Sequence, residues 1–134
     1  MRSNVLVILA MGFGLFLVAA PVLMAHHSFV AEYNLNKPIT VKGTITKVEW
    51  SNPHISFFLD VKDGSGKVTN WGVDAAAPAA LARRGWDRTS LKLGDAITVE
   101  AFQARSGKPF AAASMVIFPD GRKIFAGSDG AAPR

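Results

Sequence analysis

The chain contains no cysteine among its 134 residues. This absence excludes disulfide bonds, thiol chemistry and every zinc site that is built on cysteine ligands. Blocks of like charge are also absent, since no run of cations is longer than Arg83–Arg84 or Arg122–Lys123. The net charge of +5 is therefore scattered along the sequence, which is typical of a solvated surface.

Long hydrophobic runs are scarce, and the longest one lies near the start of the chain, at residues 5–18, after the cation Arg2. It has the length of the apolar core of a secretion signal and is short for a membrane span. Residues 1–25 are predicted to be a signal peptide cut after Ala25, because an earlier cut would lie next to Pro21. An uncleaved N-terminal anchor is the alternative. Cleavage predicts a periplasmic or secreted protein with no stable membrane span.

Further along the chain, residues 39–50 alternate apolar and polar side chains, which predicts a β-strand. The alternation changes phase after Lys47, as a β-bulge does, and Gly43 favours strong coiling. Residues 55–61 and 68–74 repeat the alternation on either side of a glycine-rich turn, which predicts a hairpin. A long, bent first strand is thus expected to precede this hairpin.

A short helix is predicted at residues 78–84, because the segment starts with proline and ends in two arginines followed by Gly85. Alternating strands are predicted at 97–101 and 111–118, and a short closing strand at 122–125. This order predicts an all-β fold with one short helix, a five-stranded OB-fold-like barrel whose helix lies between strands 3 and 4. Another small barrel or sandwich with the same number of strands is the alternative.

The domain is predicted to span residues 26–125, which is enough for one hydrophobic core. It begins with an extended arm that carries Phe29 and Tyr33 as candidate anchors. Residues 126–134 are predicted to be a flexible tail. No internal repeat divides the chain.

Six short motifs are specific when they are taken together. They are residues 25–29 (AHHSF), 42–50 (KGTITKVEW), 52–54 (NPH), 83–86 (RRGW), 91–95 (LKLGD) and 119–123 (PDGRK). With them the chain resembles a family of small exported bacterial proteins known only as a domain of unknown function, similar in outline to bacterial periplasmic OB-fold proteins. The resemblance covers nearly the whole predicted mature chain. It implies export and the fold, and it implies no activity.

Two of the three histidines, His26 and His27, directly follow the predicted cleavage site. Cleavage there would give His26 a free α-amine beside its Nδ1, and these two atoms can chelate one metal ion. A second imidazole, from His27 or His54, would complete a nitrogen-rich set that suits Cu(II). Zinc, with Glu32 as an added ligand, is the second choice. The alternative is a flexible start at His26 and His27 and a turn-bonding role for His54.

The candidate ligand-binding residues are Phe58, Trp86 and Arg84. Phe58 points away from the apolar face of its strand, and Trp86 stands among arginines, so we expect Phe58 to be exposed and Trp86 to be half exposed. OB folds bind extended ligands on strands 2 and 3, often by stacking on aromatic rings. Arg84 could receive an anion, although a helix-end arginine more often stabilises the helix terminus. Trp50 and Trp71 are expected in the core.

Catalysis has little support, because no serine lies in a nucleophile turn and no carboxylate pair stands out as acid and base. We therefore expect a non-enzymatic binding module for a small molecule, a peptide or a metal ion, with copper as the candidate cofactor. Nucleic acid is not expected as a partner, since the charge is modest and no basic stripe is interleaved with aromatics. The alternatives are a copper-dependent redox enzyme that uses the same histidine and an accessory envelope protein that docks on a partner. The oligomeric state stays open.

Overall fold

The computed structural model describes residues 29–127, so the predicted signal peptide and most of the predicted tail lie outside the described residues. Within this range six strands surround one core. They are β1 (Tyr33–Trp50), β2 (Ile55–Lys62), β3 (Val68–Asp74), β4 (Ala96–Ala104), β5 (Phe110–Ile117) and β6 (Lys123–Phe125), with a short helix α1 (Pro78–Ala82) between β3 and β4. No helix in the described range is long and apolar enough to cross a membrane.

The strands close into a ring. β1 pairs antiparallel with both β2 and β4, β2 pairs with β3, and β4 pairs with β5. A parallel pairing of β3 with β5 joins the remaining edges, and β6 extends β5. The ring β1-β2-β3-β5-β4 with a helix between β3 and β4 is an OB-fold barrel, which confirms the predicted fold class.

β1 is long because its first part pairs with β4 and its last part pairs with β2. Its register against β2 shifts between Ile45 and Lys47, which confirms the predicted bulge. Gly43 lies just before this shift, and a Cβ there would stand 2.5 Å from the backbone oxygen of Asp60. Only glycine therefore permits the close approach of the two strands at this position.

The apolar face of each strand points into the barrel and forms the core. Its largest fully buried aliphatic and phenylalanine side chains are Ile45, Ile55, Phe57, Leu59, Val73, Leu81, Ile97, Val99 and Val116. Leu81 comes from α1, so the helix contributes to the same core. Burial of each such side chain stabilises the fold by about 1.5–3 kcal/mol, and this core is the main source of stability.

Some strands are longer than predicted, because they continue past the residues at which apolar and polar side chains alternate. β1 begins at Tyr33, because the end of β4 is long enough to give it a partner at Ala104. The segment predicted as an extended arm contains a helical turn at residues 29–32 before that strand. At the other end, Ala126 is fully buried and its backbone N–H donates to the Ser114 oxygen, so the ordered domain continues past residue 125.

Candidate functional site

The side of β2 and β3 that faces away from the core carries the candidate site. We call it the outer face, and it consists of Ser56, Phe58, Asp60, Asn70, Gly72 and Asp74. The register sets Ser56 opposite Asp74, Phe58 opposite Gly72 and Asp60 opposite Asn70. Residues opposite each other on antiparallel strands are direct neighbours, so the outer face is three consecutive cross-strand pairs.

Asp74 is the centre of a hydrogen-bonded cluster at one end of the outer face. The Ser56 hydroxyl donates to its Oδ1 at 2.5 Å, and the Tyr33 hydroxyl donates to its Oδ2 at 3.0 Å. His54 Nδ1 lies 4.0 Å from the same Oδ2. We call these four residues the Asp74 cluster. The starts of β1 and β2 and the end of β3 bring them together, although they are far apart in sequence.

Burial differs sharply within the Asp74 cluster. Tyr33 is 1% exposed, whereas the side chain of Asp74 is 19% exposed and that of His54 is 44% exposed. Burial raises the pKa of the Tyr33 phenol well above its ordinary value, and the nearby carboxylates of Asp74 and Glu32 raise it further. Tyr33 therefore stays protonated and serves Asp74 as a neutral hydrogen-bond donor.

Ser56, His54 and Asp74 are the residue types of a hydrolase triad, but their order in space is different. In a triad the histidine stands between the serine and the carboxylate and takes the proton of the serine. In this cluster Asp74 stands in the middle, and the Ser56 hydroxyl donates to the carboxylate. The arrangement fixes the carboxylate and does not place a histidine base on the serine.

Aromatic rings border the Asp74 cluster along the outer face. The Phe110 ring lies directly over Gly72, where an added Cβ would stand 2.4 Å from it. The Tyr33 ring stacks on Phe110 with 6.3 Å between centroids and 19° between planes. Phe58 lies within 3.4 Å of the same Cβ position, and Lys47 Nζ stands 5.4 Å from the centroid of its ring. Gly72 is therefore the position that accommodates the rings.

The predicted metal ligands divide between described and undescribed parts of the chain. His54 follows a cis peptide bond between Asn52 and Pro53 and is exposed beside Asp74. His26 and His27 lie outside the described residues. Within residues 29–127, no group of three or more histidine, aspartate or glutamate side chains is close enough to hold a metal ion.

The prediction of a half-exposed Trp86 is wrong, because the side chain is 3% exposed and belongs to the core. Its Nε1–H donates to the Phe125 backbone oxygen at 3.2 Å, so the indole can be buried with its polar atom satisfied. Trp50 and Trp71 were expected in the core, whereas the structure leaves both partly buried and packed against it.

The two other predicted ligand-binding residues lie at different places. Phe58 points away from the core on the outer face, as the alternation predicts, but it is partly buried and not exposed as expected. Arg84 Nη1 donates to the Gly127 backbone oxygen at 2.9 Å, and its guanidinium lies 4.5 Å from the centroid of the Phe125 ring. A ligand-binding role for either residue stays a prediction.

Sequence reasoning missed Asp74, Ser56, Tyr33 and Phe110 as site residues. Two of them carried a usable signal, because Ser56 and Asp74 occupy outward positions on strands that flank one hairpin turn. The tight turn pairs the strands symmetrically, so it places the start of β2 opposite the end of β3. Tyr33 and Phe110 reach the site only through the long curve of β1 and the closure of β3 on β5.

The closed ring of strands makes the domain a single OB-fold barrel. The Asp74 cluster and the neighbouring rings form a polar and aromatic candidate site on the outer side of β2 and β3. The chain belongs to the family of unknown function DUF6152, whose pattern matches residues 15–113. No curated protein matches the chain.

Among solved structures, the chain is similar to the mitochondrial single-stranded DNA-binding protein Rim1 of S. cerevisiae. The two are 9% identical, the match covers 62% of this chain and 93% of that chain, and the TM-score is 0.49. The expectation that excluded nucleic acid as a partner is not upheld by this comparison, since the similar structure is that of a single-stranded DNA-binding protein, but a likeness in fold assigns no ligand to this chain. The expectation rested on charges that are scattered in sequence, and cations scattered in sequence can still meet on a folded surface.

Proposed function

We propose that the protein is an exported OB-fold binding module that takes up Cu(II) without chemical turnover. One observation carries the proposal: the half-exposed imidazole of His54 has its Nδ1 4.0 Å from Oδ2 of Asp74. The ligand set proposed beside His54 comes from the predicted mature N-terminus, namely the α-amine and imidazole of His26, with His27 assisting.

A histidine that binds a metal commonly turns one ring nitrogen toward a carboxylate and gives the other to the metal. Asp74 suits the role of that carboxylate, because Ser56 and Tyr33 donate to its two oxygens and hold it in place. Nδ1 of His54 faces Asp74, so Nε2 is the atom that would bind the metal. Asp74 itself acts as a positioning residue in this proposal.

The choice of copper follows from the donor atoms. An α-amine and imidazoles form a nitrogen-rich set, and this set favours Cu(II) over the other divalent first-row metals. The chain has no thiolate to offer a softer metal. Export to the periplasm or the medium is part of the proposal, because only cleavage after Ala25 would create the amine of His26.

The test uses the protein exported by its own signal. Its intact mass fixes the first residue, and a titration with Cu(II) against a competing chelator gives the affinity. We expect His26 as the first residue, and we expect tighter copper binding than in a variant with one added N-terminal residue. A mature chain that starts elsewhere, or an unchanged affinity after the extension, would contradict the amine ligand.

The contribution of His54 is tested with matched variants of the same turn. We expect His54→Ala to weaken copper binding about tenfold or more, in line with the loss of one imidazole, and Ser51→Ala to leave it unchanged. Equal copper affinities of the two variants would mean that the barrel supplies no ligand through His54. Consumption of a reductant and oxygen by the copper-loaded protein would instead indicate a copper-dependent redox enzyme.

A further inference from the structure

The net positive charge of the described domain is concentrated in one place. Residues 83–92 and 118–123 hold six lysine and arginine residues and two carboxylates. The other described residues hold seven positive and seven negative side chains and are balanced. We call the six cations the basic corner, and all of them are exposed: Arg83, Arg84, Arg88, Lys92, Arg122 and Lys123.

The two segments meet in space, although the sequence separates them. A shallow depression of about 430 Å³ is lined by residues of both, with Lys92 from one segment and Arg122 from the other. Thr89 and Ser90 border the same depression. Lys92 and Arg122 therefore join the two segments at this depression, and the other four cations lie on the same two segments.

The carboxylates inside the basic corner are occupied by local contacts. Asp87 Oδ1 accepts from the Thr89 backbone N–H at 2.7 Å and from its hydroxyl at 2.6 Å, and these bonds lower the pKa of Asp87. Asp120 Oδ1 accepts from the Arg122 backbone N–H at 2.9 Å. Asp120 Oδ2 also pairs with the Arg122 guanidinium, at 3.7 Å from Nε. A third carboxylate, Asp95, borders the depression and accepts from the Lys92 backbone N–H at 3.0 Å. Six cations against these three carboxylates leave the net charge of this surface positive.

Three arginines of the basic corner lie over aromatic rings. The guanidinium carbon of Arg122 is 4.2 Å from the centroid of Phe118, and that of Arg88 is 5.9 Å from the centroid of Trp50. Arg84 lies in the same way over Phe125. Such contacts hold a guanidinium in place at low entropic cost, and its planar donors suit the oxygens of a phosphate.

An apolar side chain stands at the rim of this surface. Leu93 is 69% exposed, the highest value among the large apolar side chains of the described residues. It lies in the turn between Lys92 and Asp95, both of which border the depression. A protruding leucine next to cations is suited to the boundary between headgroups and acyl chains of a bilayer.

We propose that the basic corner docks the protein on a membrane surface of anionic phospholipids, with Leu93 inserted among the headgroups. The cations supply the attraction to the lipid phosphates, which falls off within a Debye length and is weakened by salt. A soluble polyanion would use the same cations and would gain nothing from Leu93. The exposed leucine therefore favours a lipid surface over a nucleic acid. The proposal uses no residue of the Asp74 cluster and does not depend on copper.

The experiment measures sedimentation of the mature exported protein with vesicles. We expect binding to vesicles of phosphatidylglycerol and phosphatidylcholine, no binding to phosphatidylcholine alone, and release by added salt. Arg88→Glu combined with Arg122→Glu should weaken binding about tenfold or more, because each cation near an anionic bilayer contributes appreciably. The matched control, Lys62→Glu combined with Lys67→Glu, reverses the same number of charges on the balanced part of the domain and should leave binding within about twofold of the wild type.

Leu93→Ser separates the lipid surface from other anions. We expect it to weaken vesicle binding about fivefold to tenfold while it leaves the binding of a single-stranded oligonucleotide unchanged. Tighter binding of the oligonucleotide than of the vesicles would overturn the lipid assignment. Release of vesicle-bound protein by inorganic phosphate, beyond that caused by chloride at equal ionic strength, would indicate a phosphate site instead. Equal effects of the two double variants would contradict docking through the basic corner.

Discussion

The two faces of β2 differ in what their side chains do. Phe57 points inward, is 0% exposed and belongs to the core. Phe58, the next residue, points outward and lies beside Gly72. Successive side chains of a strand point to opposite sides, so one strand can supply both stability and a site. Phe57 and Phe58 are therefore neighbours in sequence with different roles, since Phe57 stabilises the core and Phe58 lines the outer face.

The outer face contains features that packing alone does not require. Asp74 keeps a carboxylate in a partly buried position, where loss of solvation disfavours a charge. Donation from Ser56 and Tyr33 offsets that cost. A strand built only for stability would use apolar or small side chains at these positions. The inner face is built in that way, and the outer face is not.

The largest effect should come from the inner face. We expect Phe57→Ala to lower the free energy of unfolding by about 3–5 kcal/mol, because it removes a fully buried ring and leaves a cavity. Phe58→Ala removes the same ring from a partly buried position and should cost less than half as much. Chemical denaturation of both variants measures the two losses. Equal losses would mean that the outer face is part of the core.

The next effect concerns Gly72. We expect Gly72→Ala to lower the free energy of unfolding by about 1–3 kcal/mol, because the new Cβ would overlap the Phe110 ring. Gly64→Ala is the matched control, since nothing lies within 4 Å of its added Cβ, and it should stay within about 0.5 kcal/mol of the wild type. The same denaturation experiment compares them. An unchanged free energy of unfolding in Gly72→Ala would show that the Phe110 ring does not pack against Gly72.

A smaller effect, of about 1–2 kcal/mol at neutral pH, is expected for Tyr33→Phe, which removes one donor from Asp74. The wild type should lose stability relative to this variant as the pH rises above about 10. Above that pH the tyrosine of the unfolded chain ionises, whereas the raised pKa keeps the phenol of the folded protein protonated. Ionisation therefore stabilises only the unfolded state and lowers the free energy of unfolding. Paired denaturation curves measure this difference.

The single tyrosine of the chain also permits a direct optical titration. Asp74→Asn should lower the pKa of Tyr33, because it removes a negative neighbour of the phenol. The pKa should still stay above its ordinary value, since burial is the larger cause. A Tyr33 that titrates at its ordinary pKa in the wild type would contradict the buried contact with Asp74.

The smallest effect should come from the far end of the outer face. Asn70 Nδ2 donates to Asp60 Oδ1 at 2.8 Å and to Thr46 Oγ1 at 3.1 Å, and all three residues are exposed. We expect Asn70→Ala to change the free energy of unfolding by at most about 0.5 kcal/mol, because water replaces both bonds. A loss above that of Tyr33→Phe would place the important polar contacts of the outer face here and not at Asp74.

Alternation in the sequence was enough to predict the strands and the bulge near Lys47, and the proline start and the arginine–glycine end were enough to predict the helix between β3 and β4. These features depend on local patterns that the final fold does not override. Burial of Trp86 was not predictable, because it requires the Phe125 oxygen as a partner for the indole N–H. The start of the long first strand was predicted too late, at residue 39, because β1 extends back to Tyr33 only where β4 supplies a partner.

The Asp74 cluster shows the same limit at the level of the site. His54 was named as a candidate ligand from its residue type and its place in a turn, and that role stays a prediction. The contact between Tyr33 and Asp74 joins residues 41 positions apart and depends on how the barrel closes. The basic corner is a further case, since Lys92 and Arg122 are 30 positions apart in sequence and line one depression only on the folded surface.

The central claim, that His54 and the mature N-terminus hold one Cu(II), is tested most directly by electron paramagnetic resonance of the exported protein loaded with one equivalent of copper. We predict the spectrum of a nitrogen-rich, roughly square-planar site, with one nitrogen fewer in His54→Ala and no change in Ser51→Ala. A spectrum of solvated copper, or one that His54→Ala leaves unchanged, would contradict the claim.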